Sequence, residues 1–176
     1  QFTKVLVIKN FSLYETKEFL NGFIDFVYVK NSGGAWGFLS GKTWVLLIFT
    51  ILVMVICVVI LFKYGKNNKL LFWAISLVLF GGIGNMIDRC FREGEIYAGK
   101  KVVVDFFDFY AFPDVWNAIF NVADSFVCIG AGLLILWCVI SMVQEIKAER
   151  LAKAAKTSGA ELKIVCATDA NRELLS

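Results

Sequence analysis

Histidine is absent from the 176 residues, and proline occurs once. Without histidine there is no Ser-His or Cys-His nucleophile and no histidine metal site within these residues. Charge is scarce as well: Asp, Glu, Lys and Arg make up 19% of the chain, against 59% hydrophobic and 15% aromatic residues. A mean hydropathy of +0.70 excludes an ordinary soluble domain and points to an integral membrane protein. The net charge of +3 is divided among loops, which suits lipid headgroups as the charged neighbour, and no nucleic-acid motif is present. Five cysteines (Cys57, Cys90, Cys128, Cys138, Cys166) lack metal-like spacing. Three of them lie in apolar runs, where cysteine behaves as a small buried hydrophobe, so neither a disulfide framework nor zinc is expected. Carboxylates and lysines are what remain for chemistry.

Long uncharged runs are what the chain does have. Thr43 to Phe62 gives 20 residues without a charge between Lys42 and Lys63, Leu70 to Ile87 gives 18, and Ser125 to Val143 gives 19. Each is long enough as a helix to cross the hydrocarbon of a bilayer, about 30 Å. Between the first two, Lys63-Tyr64-Gly65-Lys66-Asn67-Asn68-Lys69 carries three lysines and no acid, which places that loop in the cytoplasm by the positive-inside tendency. Lys147, Arg150, Lys153 and Lys156 after the last run agree. Residues 11 to 30 have strand-like content, notably Phe23 to Lys30, and predict a small extramembrane sheet over about 11–37. The Gly33-Gly34 cluster closes it with a turn or a close approach to a ligand. The aromatics Phe106, Phe107, Phe109, Tyr110 and Trp116 suit a membrane interface. The chain opens at Gln1, and Val5 to Ile8 is far too short to span, so a preceding segment is expected. The resulting organisation is a membrane domain over 1–143, with spans about 43–62, 70–87 and 120–143, and a cytoplasmic tail over 144–176. That tail is helical or disordered, with a helix expected to continue to Lys156, where Glu149 and Lys153 are spaced for an exposed pair.

Acid stands where acid is costly. Asp124 falls at the mouth of the last span, where an unpaired carboxylate costs several kcal/mol and marks a functional candidate. Its helical neighbours are apolar apart from Asn121 and Ser125, so a partner must come from elsewhere: Asp105, Asp108, Asp114, Arg89 or Lys4. Two carboxyl groups meeting there would share a proton. Asn85, Asp88 and Arg89 lie on one helical face, and Asp88 has Arg89 beside it as a structural partner. Glycines of Gly81-Gly82-Ile83-Gly84 permit close helix packing. Residue physics leaves the partner of Asp124 open. It also leaves two other classes, a proton-coupled transporter with Asp124 as relay and a noncatalytic membrane assembly subunit that packs through Gly81 to Asn85.

Four blocks narrow the choice: Asn31-x-Gly33-x-Ala35-Trp36, Gly84-Asn85-x-x-Asp88-Arg89, Val103-Val104-Asp105-Phe106 and Phe120-Asn121-x-Ala123-Asp124. In this order they resemble the lipoprotein signal peptidases, and the likeness covers roughly residues 1 to 143. Gln1-x-x-Lys4 is similar to the end of that family's Asp-Gln-x-x-Lys motif. The resemblance implies an all-α membrane protein, a four-helix transmembrane bundle with the first helix mostly missing from this chain and a small extracytoplasmic β-sheet. It implies an aspartic endopeptidase that cleaves prolipoproteins before the diacylglyceryl-modified cysteine at the outer face of the bacterial cytoplasmic membrane. It implies Asp105 and Asp124 as catalytic, with Lys4, Asn31, Gly33, Gly81, Asn85, Asp88, Arg89, Asn121 and Ala123 supporting them or touching substrate. No metal or other cofactor is implied, and the implied partners are lipidated prolipoproteins, membrane lipids and cyclic peptide antibiotics of the globomycin type, with the enzyme a monomer. Relative to the family the Cys90 to Val104 loop is long, and Gly94 and Gly99 would let it hinge over substrate.

Overall fold

The computed structural model describes residues 1–20, 23–34, 39, 42–93, 100–109 and 118–173, with side chains as far as Lys156. Four helices and three strands follow in the order α1 (Phe2–Asn10), β1 (Thr16–Glu18), β2 (Asp25–Asn31), α2 (Thr43–Tyr64), α3 (Lys69–Phe91), β3 (Val103–Asp108) and α4 (Val122–Glu173). The chain forms two compact units, residues 1–134 and 135–176. In the second, the backbone stays helical through Glu173, and residues 122–173 hold no proline to interrupt it.

Among the described residues, three helices are long and apolar enough to cross a membrane. α2 is apolar on every side and has one buried residue, Cys57, while Trp44, Phe49, Leu52, Val59 and Phe62 are exposed. A helix hydrophobic all round has lipid as its solvent. α3 differs: Leu71, Ala74, Ile75, Gly81, Asn85 and Asp88 are buried, a stripe that turns from apolar to polar along its length. The two helices join through a turn at Gly65–Asn67. There Asn68 caps α3, its Oδ1 accepting from the Leu71 amide at 3.0 Å, as N-cap asparagines do. At this turn the helices reach beyond the uncharged runs to take in Lys63 and Lys69, because lysine stems tolerate the helix termini.

The sheet is antiparallel in the order β1-β2-β3. Its first two strands arise where the sequence predicts them. The third comes from Val103–Asp108, which the sequence marks as extramembrane but not as a strand. Val103 to Phe106 are all buried, so the alternation that betrays a half-exposed strand is missing. Val104 and Phe106 join Val7 of α1 and Tyr28 of β2 in the core of this region, edged by Phe11, Phe26, Phe107 and Val122. Phe106 is 2% exposed, a core residue and not the interfacial aromatic expected of it. Tyr110 and Trp116 lie outside the described residues.

The outer edge of β3 is covered rather than free. The Val102 amide donates to the Arg92 carbonyl at 3.0 Å, and Phe106 and Phe107 donate to the Phe120 carbonyl at 3.0 and 2.8 Å. Between them the Val104 amide donates to the Asp88 carboxylate at 3.1 Å. The end of α3 and the approach to α4 thus complete the strand, and Asp105 is held between them.

Candidate active site

Asp124 occupies the third position of α4, and Asn121 precedes the helix. The Asn121 Oδ1 accepts from the amides of Ala123 and Asp124 at 2.8 and 3.3 Å, and Asp124 Oδ2 accepts from the Asn121 amide at 2.9 Å. This reciprocal arrangement is a capping box built from Asn-x-x-Asp. It satisfies helix-end amides that would otherwise be orphaned, and it fixes the Asp124 carboxyl at the helix mouth. The sequence carries that signature just before an apolar run, though the reading above takes the pair only as polar neighbours.

From the same asparagine the network crosses to Asp105. Asn121 Nδ2 donates to Asp105 Oδ1 at 2.6 Å, and Asn31 Nδ2, at the end of β2, donates to Asp105 Oδ2 at 2.9 Å. Asn85 of α3 donates to Asp124 Oδ1 at 2.7 Å and accepts from Asn121 Nδ2 at 3.1 Å. All four oxygens of the two carboxyls therefore accept from a nitrogen. The amides of Asn31 and Asn121 are engaged with the acid, so they orient it rather than stand free for a substrate backbone. Asp105, 3% exposed, has its carboxyl pushed up to about 7 from an ordinary 3.8, first by burial and then by the charge of Asp124. The Asn121 and Asn31 amides and Lys4 pull the other way.

Both acids line one cavity of about 280 Å³, with Asn31, Gly34, Arg89, Phe120, Val127 and Cys128 in its wall. A second cleft of about 210 Å³ between α2, α3 and α4 also ends on Asn85, Arg89 and Asp124. Of the partners considered for Asp124, Asp105 is the acid brought to its cavity. Asp108 lies opposite Asp25 in the sheet register, and burial, then Asp25, raises its carboxyl. Asp114 lies outside the described residues, as do Ala35, Trp36, Gly94 and Gly99.

Asp88 does not pair with Arg89. It is 1% exposed and holds Lys4 of α1 at 2.8 Å and Arg92 at 3.1 Å. Successive helical residues diverge by about 100°, whereas Arg92 stacks on Asp88 four residues on, a spacing visible in the sequence. Arg89 turns instead to the cavity, where Nη2 donates to the Gly33 carbonyl at 3.2 Å and the charges of Asp124 and Asp105 both act on it. It lines the cavity beside the two acids. Its buried Nε has no hydrogen-bond partner among the described residues. Lys4, 2% exposed, donates further to Asn85 Oδ1 at 2.9 Å and to the Gly84 carbonyl at 3.4 Å. Gly33 donates its amide to Asn31 Oδ1 at 2.8 Å. Gly81 and Ala123 form the contact of α3 with α4, for a Cβ at Gly81 would collide with the Ala123 carbonyl and lie 2.7 Å from Val127 Cγ2.

The profile of the family described as Signal peptidase (SPase) II matches residues 1–140. The chain belongs to the signal peptidase II family. It is similar to the lipoprotein signal peptidase of Bacillus pumilus, 40% identical over 136 residues, 77% of this chain and 82% of that protein. It is also similar to the lipoprotein signal peptidase of Enterococcus faecalis, 35% identical over 159 residues, 89% of this chain and 86% of that protein. Two solved structures, each described as a bacterial membrane enzyme structure by the in meso method, share the fold. One, at 2.3 Å resolution, has 32% identity, a TM-score of 0.70 and 81% coverage of both chains. The other, at 1.9 Å resolution, has 33% identity, a TM-score of 0.66 and coverage of 78% of this chain and 83% of its own. A signal peptidase II is a hydrolase that removes signal peptides from prolipoproteins, and with three apolar helices this one is a bacterial multi-pass membrane protein.

Proposed function

We propose that the chain is an aspartic endopeptidase in which Asp105 and Asp124 act together, cleaving the bond before a diacylglyceryl-modified cysteine. The observation that carries this reading is the pair itself: two carboxyls line one cavity, every oxygen is oriented by a nitrogen donor, and Asp105 is pushed up to about 7 by burial and by Asp124. We assign the proton of the pair to Asp105, whose carboxyl is pushed up to about 7, and the part of base to Asp124. Asp124 takes a proton from water, and the hydroxide oxygen bonds to the scissile carbonyl carbon. Asp105 gives its proton to the carbonyl oxygen, leaving a neutral tetrahedral adduct. In the second half Asp124 delivers its proton to the amine as the carbon–nitrogen bond breaks, and Asp105 recovers the hydroxyl proton. Both acids return to their starting states. No metal enters these steps.

Arg89, fixed to the Gly33 carbonyl and facing the same cavity, is suited to a substrate carbonyl near the scissile bond. We place the peptidase activity in residues 1–143 and the site at the outer membrane face, with the enzyme a monomer and its cavity the seat of globomycin-type cyclic peptides. The carrier and packing-subunit alternatives lose their motivation in a peptidase family.

Replacing either acid by Asn should lower turnover of a diacylglyceryl-modified precursor about 10²–10⁴-fold without abolishing its binding, and the double variant should be little worse than either single one. Asp108→Asn, whose carboxyl faces Asp25, should cleave close to the parent rate. Normal cleavage by both Asp105→Asn and Asp124→Asn would sink the aspartic reading.

A further inference from the structure

The two acids rest on different elements, Asp105 on β3 and Asp124 on α4, and a shared-proton pair works only if these are held in fixed relation. One buried carboxylate reaches both. Asp88 Oδ2 accepts at 3.1 Å from the amide of Val104, the residue immediately before Asp105 in the chain, and so stands in for a neighbouring strand at the edge of β3. The same oxygen lies 2.8 Å from Lys4 Nζ, Lys4 donates to Asn85 Oδ1 at 2.9 Å, and Asn85 Nδ2 donates to Asp124 Oδ1 at 2.7 Å. The amide of Asn85 has a fixed sense because of this: with its oxygen taken by the Lys4 ammonium and by Asn121 Nδ2, its nitrogen must face Asp124.

We propose that Asp88, clasped by Lys4, is the positioning residue of the acid pair, setting Asp105 through Val104 and Asp124 through Lys4 and Asn85. This rests on the dyad reading above and deepens it. Asp88 touches neither acid, and it does not line the cavity that holds them, so its part is geometric and electrostatic. The remaining charged group on Asp88 is Arg92, whose Nε lies 3.1 Å from Oδ1. Arg92 pairs with the oxygen that the two arms do not use, so it holds the carboxylate without competing for them.

A merely structural Asp88 would cost folded protein and nothing else. A positioning Asp88 makes a different mark, because misplacing reacting groups by even about 1 Å lowers turnover up to about 10²-fold. In Asp88→Asn one carbonyl oxygen remains to accept from Val104 or from Lys4, but the charge that holds Lys4 is gone. For full-length enzyme in detergent, corrected for the folded fraction by thermal unfolding, kcat should fall about 10–100-fold while KM for the lipidated precursor changes less than about twofold. Lys4→Met gives an independent signature. Lys4 is among the groups that lower the Asp105 carboxyl, beside the Asn121 and Asn31 amides and against the raising effects of burial and Asp124. Its removal should therefore move the upper limb of the pH–kcat profile to higher pH as well as lower kcat. If Asp88→Asn does not fold, the Lys4→Met profile decides. Turnover per folded molecule at the parent level in Asp88→Asn, or an unmoved limb in Lys4→Met, overturns the proposal. Asp105→Asn is run alongside: if it is inactive while Asp88→Asn is normal, positioning alone fails, whereas a fully active Asp105→Asn overturns the dyad and this inference together.

Discussion

At the scale of single residues, the site gives each carboxyl oxygen of the two acids a nitrogen donor. Four nitrogens, Asn31 Nδ2, Asn85 Nδ2, Asn121 Nδ2 and the Asn121 amide, serve the four carboxyl oxygens of Asp105 and Asp124. Asparagine suits this work because it donates without a charge of its own, so it orients an acid without locking it as a carboxylate in the way an adjacent lysine would. Lysine is kept one link away, on Asp88 and Asn85. The pH behaviour follows from that balance. With its proton held by Asp105, the proposed pair should lose activity as pH rises through an apparent value near the 7 to which Asp105 is pushed, the value belonging to the pair rather than to one residue. Asn31→Ala removes a donor that favours the ionised form, so the Asp105 carboxyl should rise further and the upper limb should shift to higher pH. A pH–kcat profile of that variant checks the sign, and a shift to lower pH would contradict the role given to Asn31. Much of this was legible beforehand. The acids and asparagines were named from the sequence, but the pairing was not, because Asp88 beside Arg89 in the chain suggests an ion pair that a helix does not make.

At the scale of elements, helix packing sets how close α4 comes to α3. Gly81 meets Ala123 and Val127 where α4 begins, and Gly130, farther along α4, meets Ala74 and Val78 of α3. A Cβ at Gly130 would stand 2.7 Å from the Ala74 carbonyl and 2.8 Å from Val78 Cγ2, so both positions are close backbone approaches of the kind small residues allow between membrane helices. Since Ala123 adjoins Asp124, spacing at Gly81 becomes spacing at the acid. Gly81→Ala should destabilise the fold by about 1–3 kcal/mol through overpacking and should also reduce turnover per folded molecule. Gly132→Ala has nothing within 4 Å of the added Cβ and should melt at or above the parent temperature with unchanged turnover. Thermal unfolding in one detergent with parallel cleavage assays separates the two, and equal melting of Gly81→Ala and the parent would show that the seam relaxes freely. The glycine cluster was visible in the sequence as a packing face. β3 was less so, since a strand buried from Val103 to Phe106 loses the alternation that identifies strands, and its edge partners, the end of α3 and Phe120, lie well beyond its neighbours in the chain, where no local pattern encodes them.

At the scale of the whole molecule, the question is which side of the membrane the site faces, and the two ends of the α2–α3 hairpin answer differently. Lys63, Lys66 and Lys69 crowd the turn at Gly65–Asn67 with no acid beside them, whereas Asn85, Asp88 and Arg89 stand near the opposite end of α3. α3 has 23 residues, about 34 Å at a helical rise, long enough to set its two ends on opposite sides of a hydrocarbon layer about 30 Å thick. Because lysine-rich turns are kept in the cytoplasm, we propose that the dyad faces outward, where a translocated prolipoprotein would present its cleavage site. The same inference follows from sequence alone, because charge placement needs no tertiary contact to read. In a cysteine-free background, a single reporter cysteine at Asn67 should resist a membrane-impermeant thiol reagent in intact cells and react once the membrane is opened, while one at Gly99, before β3, should react in both. Each reporter variant must still cleave precursor, so that labelling reports the working orientation. Labelling of Asn67→Cys but not Gly99→Cys in intact cells would invert the topology and place the acid pair on the cytoplasmic side, where the proposed reaction would have to act before the substrate had crossed.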